Sequence, residues 1–165
     1  MKKLRLLLFP DCDRNCNGCC NRDWDLDALP MCRDFSPYDE VLLTGGEPML
    51  HPNLVHRAIR QIRRTSDADV YLYTANVIRN HRTHDVLAAA DGICVTLHEQ
   101  CDVRPWLRFA FTSQELTAYR SCRLHVFAGV KLPRVLPADW QIKEGLEWQP
   151  DCPLPEGEVF MRWEQ

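Results

Sequence analysis

The chain has 165 residues, 45% of them hydrophobic and 26% charged, with a formal net charge of −3 at pH 7. That balance fits a soluble single domain with a sizeable core, and it excludes disordered, collagenous and coiled-coil classes. It gives no overall bias toward polyanions, although a local basic patch can exist within an acidic total.

The apolar pattern alternates between strand and helix. Leu4 to Phe9 predicts a first strand, too short for a signal h-region or a membrane span. A cysteine-bearing loop follows, then a poorly defined helical region around Asp25 to Arg33. Glu40 to Thr44 predicts a second strand. Asn53 to Arg64 predicts a helix, with Leu54, Val55, Ala58, Ile59 and Ile62 on one face and an arginine-rich opposite face. Val70 to Thr74 is a third strand, Val77 to Ala90 a helix, Ile93 to Leu97 a fourth strand, Ser113 to Tyr119 a helix and Leu124 to Val130 a fifth strand. After Lys131 the pattern gives way to Pro133, Pro137, Pro150, Pro153 and Pro155. Residues 1–165 therefore read as one domain whose C-terminal segment, from about 131, is irregular and proline-rich. Gln141 to Trp148 and Val159 to Trp163 are candidate late strands within it.

Alternating strands and helices imply parallel pairing with right-handed crossovers, hence an α/β fold with ligands at the C-terminal ends of the strands. The motifs that carry chemistry fall at those ends. Cys12, Cys16 and Cys19 have the spacing CxxxCxxC. Three thiolates on one tight loop can hold three irons of a cubane cluster and leave the fourth iron open, whereas electron-transfer ferredoxins tie down all four. Two other uses of these cysteines stand beside that one. Structural zinc needs two short ligand pairs, and Cys16-x-x-Cys19 supplies one of them. Disulfides are the other use, but the chain has 9 cysteines and no secretory leader is expected, so a reduced, cytoplasmic protein without a membrane segment is the better reading. About two dozen residues after the cysteine loop, the strand Val41-Leu42-Leu43 runs into Thr44-Gly45-Gly46-Glu47-Pro48. The glycines permit close backbone approach and Pro48 ends the strand.

Together these motifs resemble the signature of the radical S-adenosylmethionine (SAM) superfamily: a CxxxCxxC loop after the first strand and a Gly-Gly-Glu-Pro-like turn after the second. The strand–helix alternation of about the first 130 residues fits, although the specific motifs end at Pro48. The resemblance implies an incomplete, open (β/α) barrel of about five to six parallel strands. It also implies an enzyme with a [4Fe–4S] cluster on Cys12, Cys16 and Cys19. SAM would chelate the open iron, and one electron, from a reductant such as flavodoxin or ferredoxin, would cleave it to a 5′-deoxyadenosyl radical that abstracts hydrogen from the substrate. Thr44, Gly45 and Gly46 would receive the SAM amino group through their backbone, with Glu47 nearby. Gly18 stands where many relatives carry an aromatic residue. Asn76, Thr96 and His98 are candidates for the SAM ribose or carboxylate.

For the substrate the sequence offers a nucleotide, a nucleic-acid base or another small molecule. Cys16-x-Gly18-Cys19-x-Asn21 with Trp24 also resembles the activating proteins of anaerobic ribonucleotide reductases. Leu50-His51-Pro52-Asn53 and Tyr71-Leu72-Tyr73-Thr74 have echoes there, which implies a large protein partner. A non-catalytic iron–sulfur or zinc module is the reading from a different class. Among the remaining cysteines, Cys94, Cys101, Cys122 and Cys152 are conceivable ligands of an auxiliary cluster, but buried free thiols are the plainer expectation. Trp24 either walls the pocket or packs into the core, and Lys131 is a candidate partner for a carboxylate.

Overall fold

A computed structural model of the chain describes residues 1–77, 81–118 and 120–164. Its strands are β1 (Lys3–Leu7), β2 (Met31–Cys32), β3 (Glu40–Thr44), β4 (Asp69–Thr74), β5 (Gly92–Leu97), β6 (Ser121–Phe127), β7 (Trp140–Leu146) and β8 (Glu158–Trp163). They form one eight-stranded sheet in the order β2-β8-β1-β3-β4-β5-β6-β7. Each of its pairings is parallel. β2 and β7 are the two edges, so the sheet is open rather than a closed barrel.

The α/β class and the open sheet agree with the sequence, but the expected five to six strands are too few. β7 and β8 both arise in the proline-rich segment. Pro150, Pro153 and Pro155 lie in the connection between them, where no ladder N–H is required. β2 lies where a helix around Asp25 to Arg33 was expected. Instead, α1 (Cys20–Asp23) is a single turn. The Asp25 carboxylate then accepts the backbone N–H groups of Asp27 and Ala28, each at 3.2 Å. That competition, followed by Pro30, turns the chain out of the helical path.

α2 (Pro52–Thr65) buries Val55, Ala58, Ile59 and Ile62, the face its periodicity marks out. The helix expected at Val77 to Ala90 is α3 (His81–Ala89), and positions 78–80 of that expectation lie outside the described residues. α4 (Val103–Thr112) was not expected, and it carries Pro105 near its start. In the first turn its absent N–H costs no bond, and Val103, Trp106, Phe109 and Ala110 are buried behind it. The helix expected at Ser113 to Tyr119 is the short α5 (Gln114–Thr117), with Tyr119 outside the described residues.

Strand alternation gives the sheet two different faces. Leu4, Leu6, Val41, Leu43, Val70, Leu72, Ile93, Val95, Leu124 and Val126 are packed in one core with the apolar sides of α2 and α4. Residues of the other parity, among them Lys3, Arg5, Glu40, Tyr73, Cys94, Arg123 and His125, point to the opposite face. There Glu40, 4% exposed, accepts Lys3 Nζ at 2.9 Å and the Arg123 guanidinium at 3.2 and 3.0 Å, while Arg5 pairs with Glu158 at 2.5 Å. The Arg123 guanidinium also lies 3.8 Å from the centre of the Tyr71 ring. Burial pushes the Glu40 carboxyl up, but Arg123 and Lys3 outweigh it and hold its pKa below the ordinary 4.5.

Two tests follow from this packing. Trp106, fully buried and edge-on to Trp140 at 5.5 Å, joins α4 to β7. Trp106→Ala is expected to cost about 3–5 kcal/mol by denaturant titration. A double-mutant cycle with Trp140→Ala should show coupling of about 0.5–1.5 kcal/mol. Because the folded pKa of Glu40 is depressed, its contribution is present above pH 4.5 and is lost as pH falls through the folded value. Glu40→Gln should therefore lower stability at neutral pH and flatten its decline below pH 4.5, measured by thermal melts across that range.

Candidate functional site

β1 and β3 are parallel neighbours, and their pairing continues past both strand ends. Leu8 N–H donates to Thr44 O at 2.9 Å, Gly46 N–H to Phe9 O at 2.9 Å, and Glu47 N–H to Asp11 O at 2.8 Å. The turn after β3 thus clamps the start of the cysteine loop. This explains both glycines. A Cβ at Gly46 would lie 1.7 Å from Asp11 O, and at Gly45, where φ is +150°, 2.4 Å from Phe9 O. Asn21 reaches back from the far end of the loop and donates from Nδ2 to Gly45 O at 2.8 Å. The Thr44 and Gly45 carbonyls, expected to face a ligand amine, therefore already accept protein donors.

Glu47 is 2% exposed and also engaged. Its carboxylate accepts Thr74 Oγ1 at 2.6 Å, Ala75 N–H at 2.9 Å and Met49 N–H at 2.9 Å, which ties the ends of β3 and β4 together. Burial nevertheless dominates and pushes its pKa up, with the three donors opposing.

A second carboxylate anchors the middle of the loop. The Arg14 Nη2 group donates to Asp102 Oδ1 at 2.9 Å and Oδ2 at 2.8 Å. Asp102 Oδ2 also accepts the backbone N–H groups of His98 and Glu99, at 2.9 and 3.0 Å. The cysteine loop is thereby fastened to the end of β5. There His98 Nδ1 lies 3.7 Å from Cys16 Sγ. Burial first, then the nearby Arg14 charge, lowers the His98 pKa, so its ring is neutral at pH 7.

Cys12, Cys16 and Cys19 are all free thiols, Cys12 exposed and the other two half-buried. All three line one cavity of about 450 Å³, together with Gly18, Thr44, Gly45, Gly46 and Glu47. Thr96 and His98 line it too, whereas Asn76 does not. Among the described residues no three Cys, His, Asp or Glu side chains converge as a ready-made metal site. The donor set itself suits a cubane: three unbonded sulfurs on one loop, open to a shared cavity.

Sequence reasoning missed several lining residues. Arg5, Tyr73, His125 and Phe127 are the inward members of β1, β4 and β6, and Trp148 follows β7. The available signal was polar residues set inside otherwise apolar strands. Burial pushes the Tyr73 hydroxyl well above its ordinary pKa and lowers that of His125, which leaves both uncharged at neutral pH. Trp24 does both things expected of it. It packs against the Leu7, Leu29 and Phe160 cluster and lines the cavity. Lys131 is exposed and its backbone bonds to the Gln100 side chain.

The remaining cysteines correct one expectation. Cys20 and Cys152 are joined in a disulfide, with Cα atoms 5.4 Å apart, so the structure is not the fully reduced chain the sequence led one to expect: the fold brings together two cysteines far apart in sequence. Cys94 and Cys122 are buried in separate strands and Cys101 is exposed, so the four conceivable auxiliary ligands are not gathered together.

Comparison with known proteins adds little. No family model matches the chain and no curated protein matches it. Among solved structures, SuiB of Streptococcus suis is similar at 16% identity with a TM-score of 0.48, covering 75% of this chain and 32% of that one.

The glycine clamp predicts that Gly46→Ala will be costly. Forcing two backbones apart should remove about 3 kcal/mol. The melting temperature should drop by roughly 6–12 °C.

Proposed function

We propose that the chain is a radical SAM enzyme, with a [4Fe–4S] cluster on Cys12, Cys16 and Cys19 and SAM in the adjoining cavity. One observation supports this above the others. The cysteine loop and the Gly-Gly turn, separate in sequence, are bonded backbone to backbone and line the same cavity at the C-terminal ends of parallel strands. A zinc or purely structural module has no need of such a cavity beside its metal loop.

When bound on Cys12, Cys16 and Cys19, the cluster with SAM would supply radical hydrogen-abstraction chemistry. The residues of this chain bind, orient and exclude water. Glu47 holds the start of the cysteine loop through its backbone N–H, and Asp102 holds its middle through Arg14. Gly18, Thr96 and His98 offer backbone and neutral polar groups along the cavity wall. Phe127, Trp148 and Trp24 keep the space apolar, which protects a reactive intermediate from solvent. Arg5, Tyr73 and His125 are left to orient a substrate.

The size and lining of the cavity favour a nucleotide, a base or another small molecule over the loop of a large reductase partner. A one-electron donor of the flavodoxin or ferredoxin kind reaches the loop from the side of Cys12, which is exposed. A cytoplasmic location belongs to the same proposal. Among the described residues, no helix is long and apolar enough to cross a membrane.

Anaerobic reconstitution checks this reading. Wild-type protein should bind iron and sulfide and, with dithionite and SAM, release 5′-deoxyadenosine. Replacing Cys12, Cys16 and Cys19 by Ala together should abolish both. Zinc in place of iron, or a loaded cluster that leaves SAM intact, would overturn the proposal.

A further inference from the structure

β7 and β8 lie on opposite sides of the sheet. β7 is the edge strand beyond β6, while β8 sits beyond β1. Both run parallel to their neighbours, so the chain leaves β7 at the end that carries the cavity and must cross before entering β8. Residues 147–157 make that crossing. Glu147, Trp148, Gln149, Cys152, Pro153 and Pro155 of this segment line the cavity, so it lies over the site as a strap.

The strap is held at two points, both beside the cysteine loop. The first is the Trp148 side chain. It stacks on His98 with ring centres 5.1 Å apart and 9° between planes, and it lies 4.2 Å from the Phe127 ring. It also occupies the space beside Gly18, where a Cβ would come within 2.8 Å of it. The second point is covalent. Cys152 is bonded to Cys20, the residue after Cys19, and its carbonyl accepts Trp24 Nε1–H at 3.2 Å. At that point the backbone is in a conformation L-residues disfavour. Asp151 and Cys152, at φ 60° and 39°, are the only non-glycine residues with positive φ among the described residues. Such backbone persists when its surroundings hold it, and it collects at switch segments.

We propose that the Cys20–Cys152 disulfide is a redox latch: oxidised, it keeps the strap across the cavity; reduced, it frees residues 147–155 and opens the site. The reductant is a dithiol, either a small molecule or a protein. One of its thiolates attacks a sulfur of the latch, the Cys20–Cys152 bond breaks, and a mixed disulfide forms. Its second thiol resolves that intermediate. Two electrons and two protons pass to the latch, which becomes two thiols, and the reductant ends as a disulfide. The bond links residues 132 apart in sequence, so breaking it releases a long closed loop. The latch is independent of what the cavity holds.

The test uses the full chain without cluster or SAM, so it stands apart from the test of radical chemistry. Air-oxidised protein, denatured in the presence of a thiol reagent, should show seven free thiols; after treatment with dithiothreitol and its removal under anaerobic conditions it should show nine. Reduction should raise amide hydrogen exchange across residues 147–155 by about tenfold or more while leaving β5 protected. Alkylation of Cys16 and Cys19 in the native protein should accelerate in parallel. Cys152→Ser should match the reduced protein under oxidising conditions. Nine free thiols in the oxidised chain, exchange in the strap unchanged by reduction, or a rise shared equally by β5 would each overturn the latch.

Discussion

The site depends on a space too small for a methyl group. At Gly46 the turn after β3 passes so close to the chain leaving β1 that a Cβ would overlap the Asp11 carbonyl. Only glycine permits that approach, and three backbone hydrogen bonds then register loop and turn as if the sheet continued beyond its strands. The rest follows from this contact. With Glu47 N–H given to Asp11, its side chain turns inward to Thr74 and Ala75 and brings in the end of β4. The cysteine loop then departs from a fixed origin, although it has little regular structure of its own.

Two buried carboxylates complete what the glycines begin, each with a different set of donors. Asp102 faces a guanidinium and two backbone donors, so its charge is matched where it stands. Glu47 has three hydrogen-bond donors but no cationic partner among its bonded neighbours, and desolvation prevails. Hydrogen bonds to a charged group are worth about 1.5–3 kcal/mol each, enough to keep the carboxylate in place but not to offset full burial. One loop is therefore held by charge pairing and the adjoining turn by neutral donors around an acid.

The parts most legible in the sequence were those governed by local rules. The central strands β3 to β6 and helix α2 announced themselves through apolar period, and the CxxxCxxC and Gly-Gly-Glu-Pro stretches through spacing. What stayed hidden depends on partners distant in the chain. β8 is inserted between β1 and β2 by pairings across more than 120 residues, and nothing in Glu-Val-Phe-Met-Arg-Trp specifies that neighbour. α4 carries Pro105 in its first turn, and the tolerance of a proline there depends on where the helix begins. Arg5, Tyr73 and His125 stand among apolar strand residues, and their shared polar face exists only once the strands are paired. The role of Glu47 was half visible: the motif marked it for a ligand, whereas its carboxylate binds Thr74 and two backbone amides.

The late strands also change what a short chain can enclose. An open parallel sheet leaves the face away from its helices accessible, since β2 and β7 do not pair to close it. Placing β8 on the far side of β1 forces the C-terminal segment back across that face, so coverage comes from the connection and needs no additional domain. A connection rich in proline is suited to such a crossing, because it resists becoming strand or helix; it turns between Gln149 and Cys152 and again between Pro155 and Glu158. The cover is fastened to the strand ends beneath it by the Trp148 stack and to the cysteine loop by one sulfur–sulfur bond and the Trp24 hydrogen bond beside it. A lid so attached can change state without disturbing the core. The radical chemistry proposed for the site and the proposed release of its cover would draw on the same reducing conditions.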